Sequence, residues 1–168
     1  MERWVIRTLR GVIAIALLGS LVVQLVLMPL LWIDLDDAHR GVQISLVAIG
    51  VLGVACLQVI GVSVWRLLTL VRRGTVFSQE AFRHVDRIIA AIAAGAVLVF
   101  AIAVVARTAN RTTPGDEVAP GLVGLICGLA LVVGGVALLV YVLRALLAQA
   151  VARDVEAQHL QSELDEVI

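Results

Sequence analysis

The stretch Arg72-Arg73-Gly74-Thr75-Val76-Phe77-Ser78-Gln79-Glu80-Ala81-Phe82-Arg83-His84-Val85-Asp86-Arg87 lies between two long apolar runs. It holds four arginines, two acids and a histidine, and its reading decides the fold. If the flanking runs cross a membrane, this is the loop that turns the chain back. Composition favours that reading. The chain is 61% hydrophobic and 15% charged, whereas soluble domains run at about 45–50% and about 25%.

Within the stretch, Gly74 suits the end of a helix, because glycine tolerates the left-handed conformation found there. Ser78 is placed to cap the next helix, with Phe77 and Phe82 in the two positions of a hydrophobic staple. Glu80 falls in the first turn, where the helix dipole favours an anion. Phe82, Val85, Ile88 and Ile89 then recur at helical steps, with Arg83, His84, Asp86 and Arg87 between them. The expectation is a polar loop over 71–87 whose second half is an amphipathic helix start lying at the membrane surface and merging into the following span.

Working outward, residues 88–106 form the span after the stretch and 44–66 the span before it. The run 11–33 is interrupted only by Ser20, Gln24 and Pro29. It is too long for the apolar core of a signal peptide, about 7–15 residues. It is long enough to cross a hydrocarbon core of about 30 Å, with any kink at Pro29 falling near its far end. A fourth span covers 121–143, with Pro120 suited to the first helical turn. Beyond it, 144–168 has neither Gly nor Pro and reads as a helix extending into water, acidic through Asp154, Glu156, Glu163, Asp165 and Glu166. The fold class is all-α: one integral-membrane domain over 1–168, a four-helix bundle.

All thirteen basic residues are arginines. Four spans put Arg3, Arg7, Arg10, Arg66, Arg72, Arg73, Arg83, Arg87, Arg144 and Arg153 on one side. Only Arg40, Arg107 and Arg111 fall on the other. The positive-inside rule makes the first side cytoplasmic, with both termini there.

Chemistry is sparse. No ionisable residue interrupts the middle of a span, as the relay of a pump or coupled transporter requires. Ser20 or Gln24 is expected to meet Gln58 at similar depth and bond across helices. The motifs of zinc proteases, serine hydrolases, phosphate-binding loops and redox dithiols are missing. Ser78, His84 and Asp86 share one surface, but Ser78 serves as a cap, and positions 84 and 86 leave a helix in different directions. Cys56 and Cys127 sit in apolar runs and read as small hydrophobes. His39 stands beside acids but has no second His or Cys nearby, so a solvated loop is the default and no metal, cofactor or catalytic residue is assigned. Zero formal net charge offers no field to recruit nucleic acid directly. Gly124 and Gly128 form a GxxxG pattern. Packing inside the bundle is the favoured reading, and association of two copies is the other.

The loop Gly74-Thr75-Val76-Phe77-Ser78-Gln79-Glu80, followed by Arg83 and Ile88, resembles the bacterial membrane proteins grouped under domain of unknown function 2975. Those have four spans and a middle loop of the form Gly-x-x-Phe-Ser/Thr-x-Glu. The ending Glu163-Leu164-Asp165-Glu166-Val167-Ile168 is similar to the acidic-apolar tails of actinobacterial members. Ala81 departs from the Asn found there in many relatives. The resemblance implies no activity. Because some relatives are encoded beside small helix-turn-helix regulators, it does imply a membrane-bound partner or sensor role.

These readings converge on a non-enzymatic inner-membrane protein embedded in the lipid bilayer. Arg83, His84 and Arg87 are its expected interaction surface for a cytoplasmic protein. A small transporter or channel component is the alternative.

Overall fold

The computed structural model describes residues 3–34, 40–72, 79–112 and 118–167. They form α1 (Arg3–Val22), a π-helical turn (Val23–Leu27), α2 (Met28–Asp34), α3 (Arg40–Arg72), α4 (Gln79–Thr112) and α5 (Pro120–Val167). The first span is α1, the π turn and α2 together; α3, α4 and α5 are the other three. Four helices are therefore long and apolar enough to cross a membrane.

The π turn has an identifiable cause. Pro29 lacks the N–H that would bond the carbonyl of Leu25, and its ring crowds that carbonyl. The preceding turn widens, and the Met28 N–H bonds the Val23 carbonyl five residues back. At the start of α5, Pro120 occupies the first helical position, and the Ala119 carbonyl accepts from Leu122 and Val123.

At 33 and 34 residues, α3 and α4 are about 50 Å long, well beyond the hydrocarbon thickness of about 30 Å. The start of α4 accounts for part of that excess. Residues 79–87, expected as a helix start merging into the following span, are the first turns of α4, with no break before the span. Nothing in 79–100 provides one: the segment has no proline, and its glycine, Gly95, lies deep in the span. Of the staple and cap residues, Gly74, Phe77 and Ser78 lie outside the described residues, as does the loop containing His39.

Among the described residues each span packs only against its neighbours in the chain: the first on α3, α3 on α4, and α4 on α5. The bundle is open. Its buried hydrophobic positions are mainly alanines, Ala81, Ala91 and Ala103 on α4 and Ala130 and Ala137 on α5. Small side chains let helices approach closely in lipid, where packing rather than water exclusion holds them together. At Gly61 an added Cβ would come within 3.0 Å of Leu17 Cδ2, and at Gly50 within 2.9 Å of Met28 Sδ, so both glycines receive side chains of the first span. The large apolar residues face outward, toward where lipid tails would be, as Leu131, Leu138 and Leu125 do on α5.

Gly124 and Gly128 correct the expectation that they pack inside the bundle. A Cβ at either would meet nothing within 4 Å, so neither packs inside the bundle. The face of α5 that meets α4 carries Ala130, Gly134 and Ala137, with Gly134 close to Ala96. The GxxxG pair lies on a different side of the helix.

Candidate functional site at the arginine-bearing end

Two clusters gather where α1, α3, α4 and α5 meet the arginine-rich end. In the first, Arg144 of α5 reaches α4. Its Nη2 donates to Asp86 Oδ2 at 2.8 Å, and its guanidinium stacks over the Phe82 ring with the centroid 5.6 Å away. Phe82 and Asp86 are four residues apart, on one helical face, so a single arginine can engage both. The Arg144 Nε is buried without a hydrogen-bond acceptor among the described residues.

His84 lies on a different face of the same turn and is only 3% exposed. The surface expected from Arg83, His84 and Arg87 is thereby corrected: Arg83 and Arg87 are exposed, and His84 is not. Burial follows from register, since Ala81 and Ala91, at three- and seven-residue steps from His84, are buried as well. His84 Nδ1 is 2.8 Å from the backbone carbonyl of Glu80. A carbonyl only accepts, so the Nδ1–H donates, and Nε2 is left buried without a partner among the described residues.

The second cluster joins α1 to α3. Arg10 Nη2 donates to Thr69 Oγ1 at 2.9 Å, and its guanidinium lies 5.5 Å from the Trp65 ring centroid. Thr69 Oγ1 in turn donates to the Trp65 carbonyl at 3.1 Å. In both clusters an arginine pairs its planar cation with an aromatic face and a hydrogen-bonding group on the next helix. Sequence reasoning missed both contacts. The available signal was an arginine near a span end with an aromatic residue at matching depth on the adjacent span.

Deeper in the membrane, the structure brings Ser20, Gln24 and Gln58 together. Gln58 Nε2 donates to Gln24 Oε1 at 2.9 Å and to Ser20 Oγ at 3.2 Å. Gln24, in the π turn, donates to the Val51 carbonyl at 3.2 Å, and Ser20 donates to the Leu17 carbonyl at 2.7 Å. These groups bond each other and backbone carbonyls, as interhelical polar residues do in lipid.

The arrangement offers little to catalysis. Asp86 turns to Arg144 and His84 to a backbone carbonyl, so they do not form an acid–base pair. Among the described residues no group of three His, Cys, Asp or Glu side chains is placed to hold a metal ion. Cys56 and Cys127 are free thiols.

Fold and clusters together define a multi-pass α-helical membrane protein whose spans are held by small-residue packing and arginine contacts at one end. The chain belongs to the family described as "Protein of unknown function (DUF2975)", whose model matches residues 30–168. That match takes in α3, α4 and α5 and leaves most of the first span outside it. No curated protein and no solved structure matches the chain.

Proposed function

We propose that this is a non-enzymatic docking protein of the bacterial inner membrane, with both termini in the cytoplasm, that presents the end of α5 to a soluble protein. One observation carries this reading. α5 is a single helix of 48 residues, about 72 Å long at 1.5 Å per residue, roughly twice what a bilayer core requires. Residues 152–161 are all exposed, and this part combines acids (Asp154, Glu156) with exposed apolar side chains (Val155 and Leu160). The projecting part of this helix has no role in crossing the membrane. Its mixed acidic and apolar surface suits a groove or basic patch on a soluble protein. The resemblance to relatives encoded beside helix-turn-helix regulators supplies the class of partner.

The transporter reading draws less support, because Gln58 bonds Gln24 and Ser20, and Gln24 bonds a backbone carbonyl. A photo-cross-linking residue at Val155 or Leu160 in intact cells tests the proposal. A specific soluble protein should be captured from the cytoplasm, and its yield should fall when Asp154 and Glu156 are replaced by Arg. Capture of lipid or of the chain itself alone would refute it. A reporter fused after Ile168 should be active only in the cytoplasm.

A further inference from the structure

We infer that the groove between α3 and α4 is a binding site for one anionic phospholipid, with an acyl chain in the groove and its phosphate against Arg66, Arg83 and Arg87. The groove has a volume of about 600 Å³, and its walls include Cys56 and Val59 from α3 and Ala90, Ala94 and Val97 from α4. Small side chains on both helices create it. Its lining is almost wholly apolar, and Arg87 is the charged residue that lines it.

The dimensions fit a lipid tail. Arg87 and Leu98 both line the groove, and the helix between them rises about 16 Å, close to half of the hydrocarbon core of about 30 Å. The groove is thus one leaflet deep and charged at one end. That is the layout of a phospholipid, not of a soluble peptide or metabolite.

The charge fits as well. Arg83 is one turn before Arg87 on the same face of α4. Arg66 continues the stripe of α3 that carries Cys56 and Val59, at helical steps of three and seven residues. Arg66, Arg83 and Arg87 are exposed, and none makes an ion pair among the described residues, where Asp86 is taken by Arg144. Glu80, a turn before Arg83, leaves the group net positive. Unpaired guanidinium forks beside an apolar groove complement a phosphodiester bearing hydrocarbon chains. The arginine-bearing end also lies where anionic headgroups concentrate if it faces the cytoplasm.

Native mass spectrometry of the full chain, delipidated and titrated with phosphatidylglycerol or phosphatidylcholine of identical chains, tests this. One phosphatidylglycerol should be retained per chain, with about tenfold preference over phosphatidylcholine, as expected of several interfacial arginines acting together. Replacing Arg66, Arg83 and Arg87 together by Gln should abolish the preference, while Arg107→Gln at the opposite end should leave it intact. Ala90→Leu with Ala94→Leu, which fills the groove without altering charge, should reduce retention of both lipids severalfold. Inorganic phosphate should not displace the bound lipid. Circular dichroism of each variant separates loss of binding from loss of fold. Equal retention of the two lipids by the unaltered chain, full preference in the folded triple variant, undiminished retention in the folded filled-groove variant, or displacement by phosphate would each overturn the assignment.

Discussion

Arg144 and Asp86, 58 residues apart in the chain, meet at 2.8 Å and tie the end of the fourth span to the first turns of α4. The same guanidinium covers the Phe82 ring. One arginine therefore makes two different contacts with one helical face, and removing it costs more than removing either contact.

Asp86→Ala should destabilise the protein by no more than about 1 kcal/mol, since the pair is 30% and 49% exposed and solvent screens such pairs. Arg144→Ala should cost about 1–2 kcal/mol, because it also loses the stacking on Phe82. Unfolding in detergent, with the Phe82→Leu and Arg144→Ala double-mutant cycle, should give a coupling of about 0.5–1 kcal/mol between ring and cation. Independent effects would mean that the ring contact adds nothing.

His84→Leu should be neutral or stabilising. The imidazole keeps one hydrogen bond to the Glu80 carbonyl but buries Nε2 without a donor, and an unsatisfied buried group of this kind costs about 1–3 kcal/mol. A well-shaped apolar replacement removes that cost. A clear drop in unfolding midpoint for His84→Leu would reveal a donor to Nε2 in the working protein.

Gln58→Leu should lower stability by about 1 kcal/mol, since Gln58 makes two interhelical hydrogen bonds and such bonds average about 0.6 kcal/mol each. Gln24→Leu combined with it should add only the loss of the Gln24–Val51 bond, less than the sum of the two single effects, because both remove the shared bond. Unfolding titrations of the two single variants and the double variant measure this. Solute flux in reconstituted vesicles should be the same for Gln58→Leu as for the unaltered protein, and a lost flux would restore the pore reading.

Gly61→Leu and Gly124→Leu should behave oppositely. At Gly61 the first span is already in contact through Leu17, so a large side chain should separate α1 from α3 at a cost of about 1–3 kcal/mol. At Gly124 space is open, and the change in stability should stay within about 0.5 kcal/mol. Cysteine cross-linking between α1 and α3 reports the first effect. If Gly124→Leu changes the mass of the detergent-solubilised particle, the exposed glycine pair joins two copies.

Much of the fold was legible because the spans are blocks of apolar residues, and block length is a direct measure of membrane thickness. The meeting of Gln58 with Ser20 and Gln24 was legible from depth alone, since adjacent antiparallel spans align residues at equal distances from their ends. Helix faces were not legible. Gly124 and Gly128 look alike whether they point at α4 or at lipid, and the choice was made by Ala130, Gly134 and Ala137 elsewhere on the same helix. His84 misled for the same reason: its polar neighbours suggested exposure, while the register of α4 turned it inward with Ala81 and Ala91. The loss of periodicity in an all-apolar segment, where core and lipid sides have the same chemistry, accounts for the glycines.

Because among the described residues every span touches only the one before it and the one after it in the chain, the order of synthesis is also a sufficient order of assembly. Each helix entering the bilayer finds its contact surface already present, and none waits for a later one to complete a closed ring. A chain stopped after α4 would still hold its first three spans in their final pairing. The two outermost helices would remain the places where the structure can be extended sideways without disturbing what is already built.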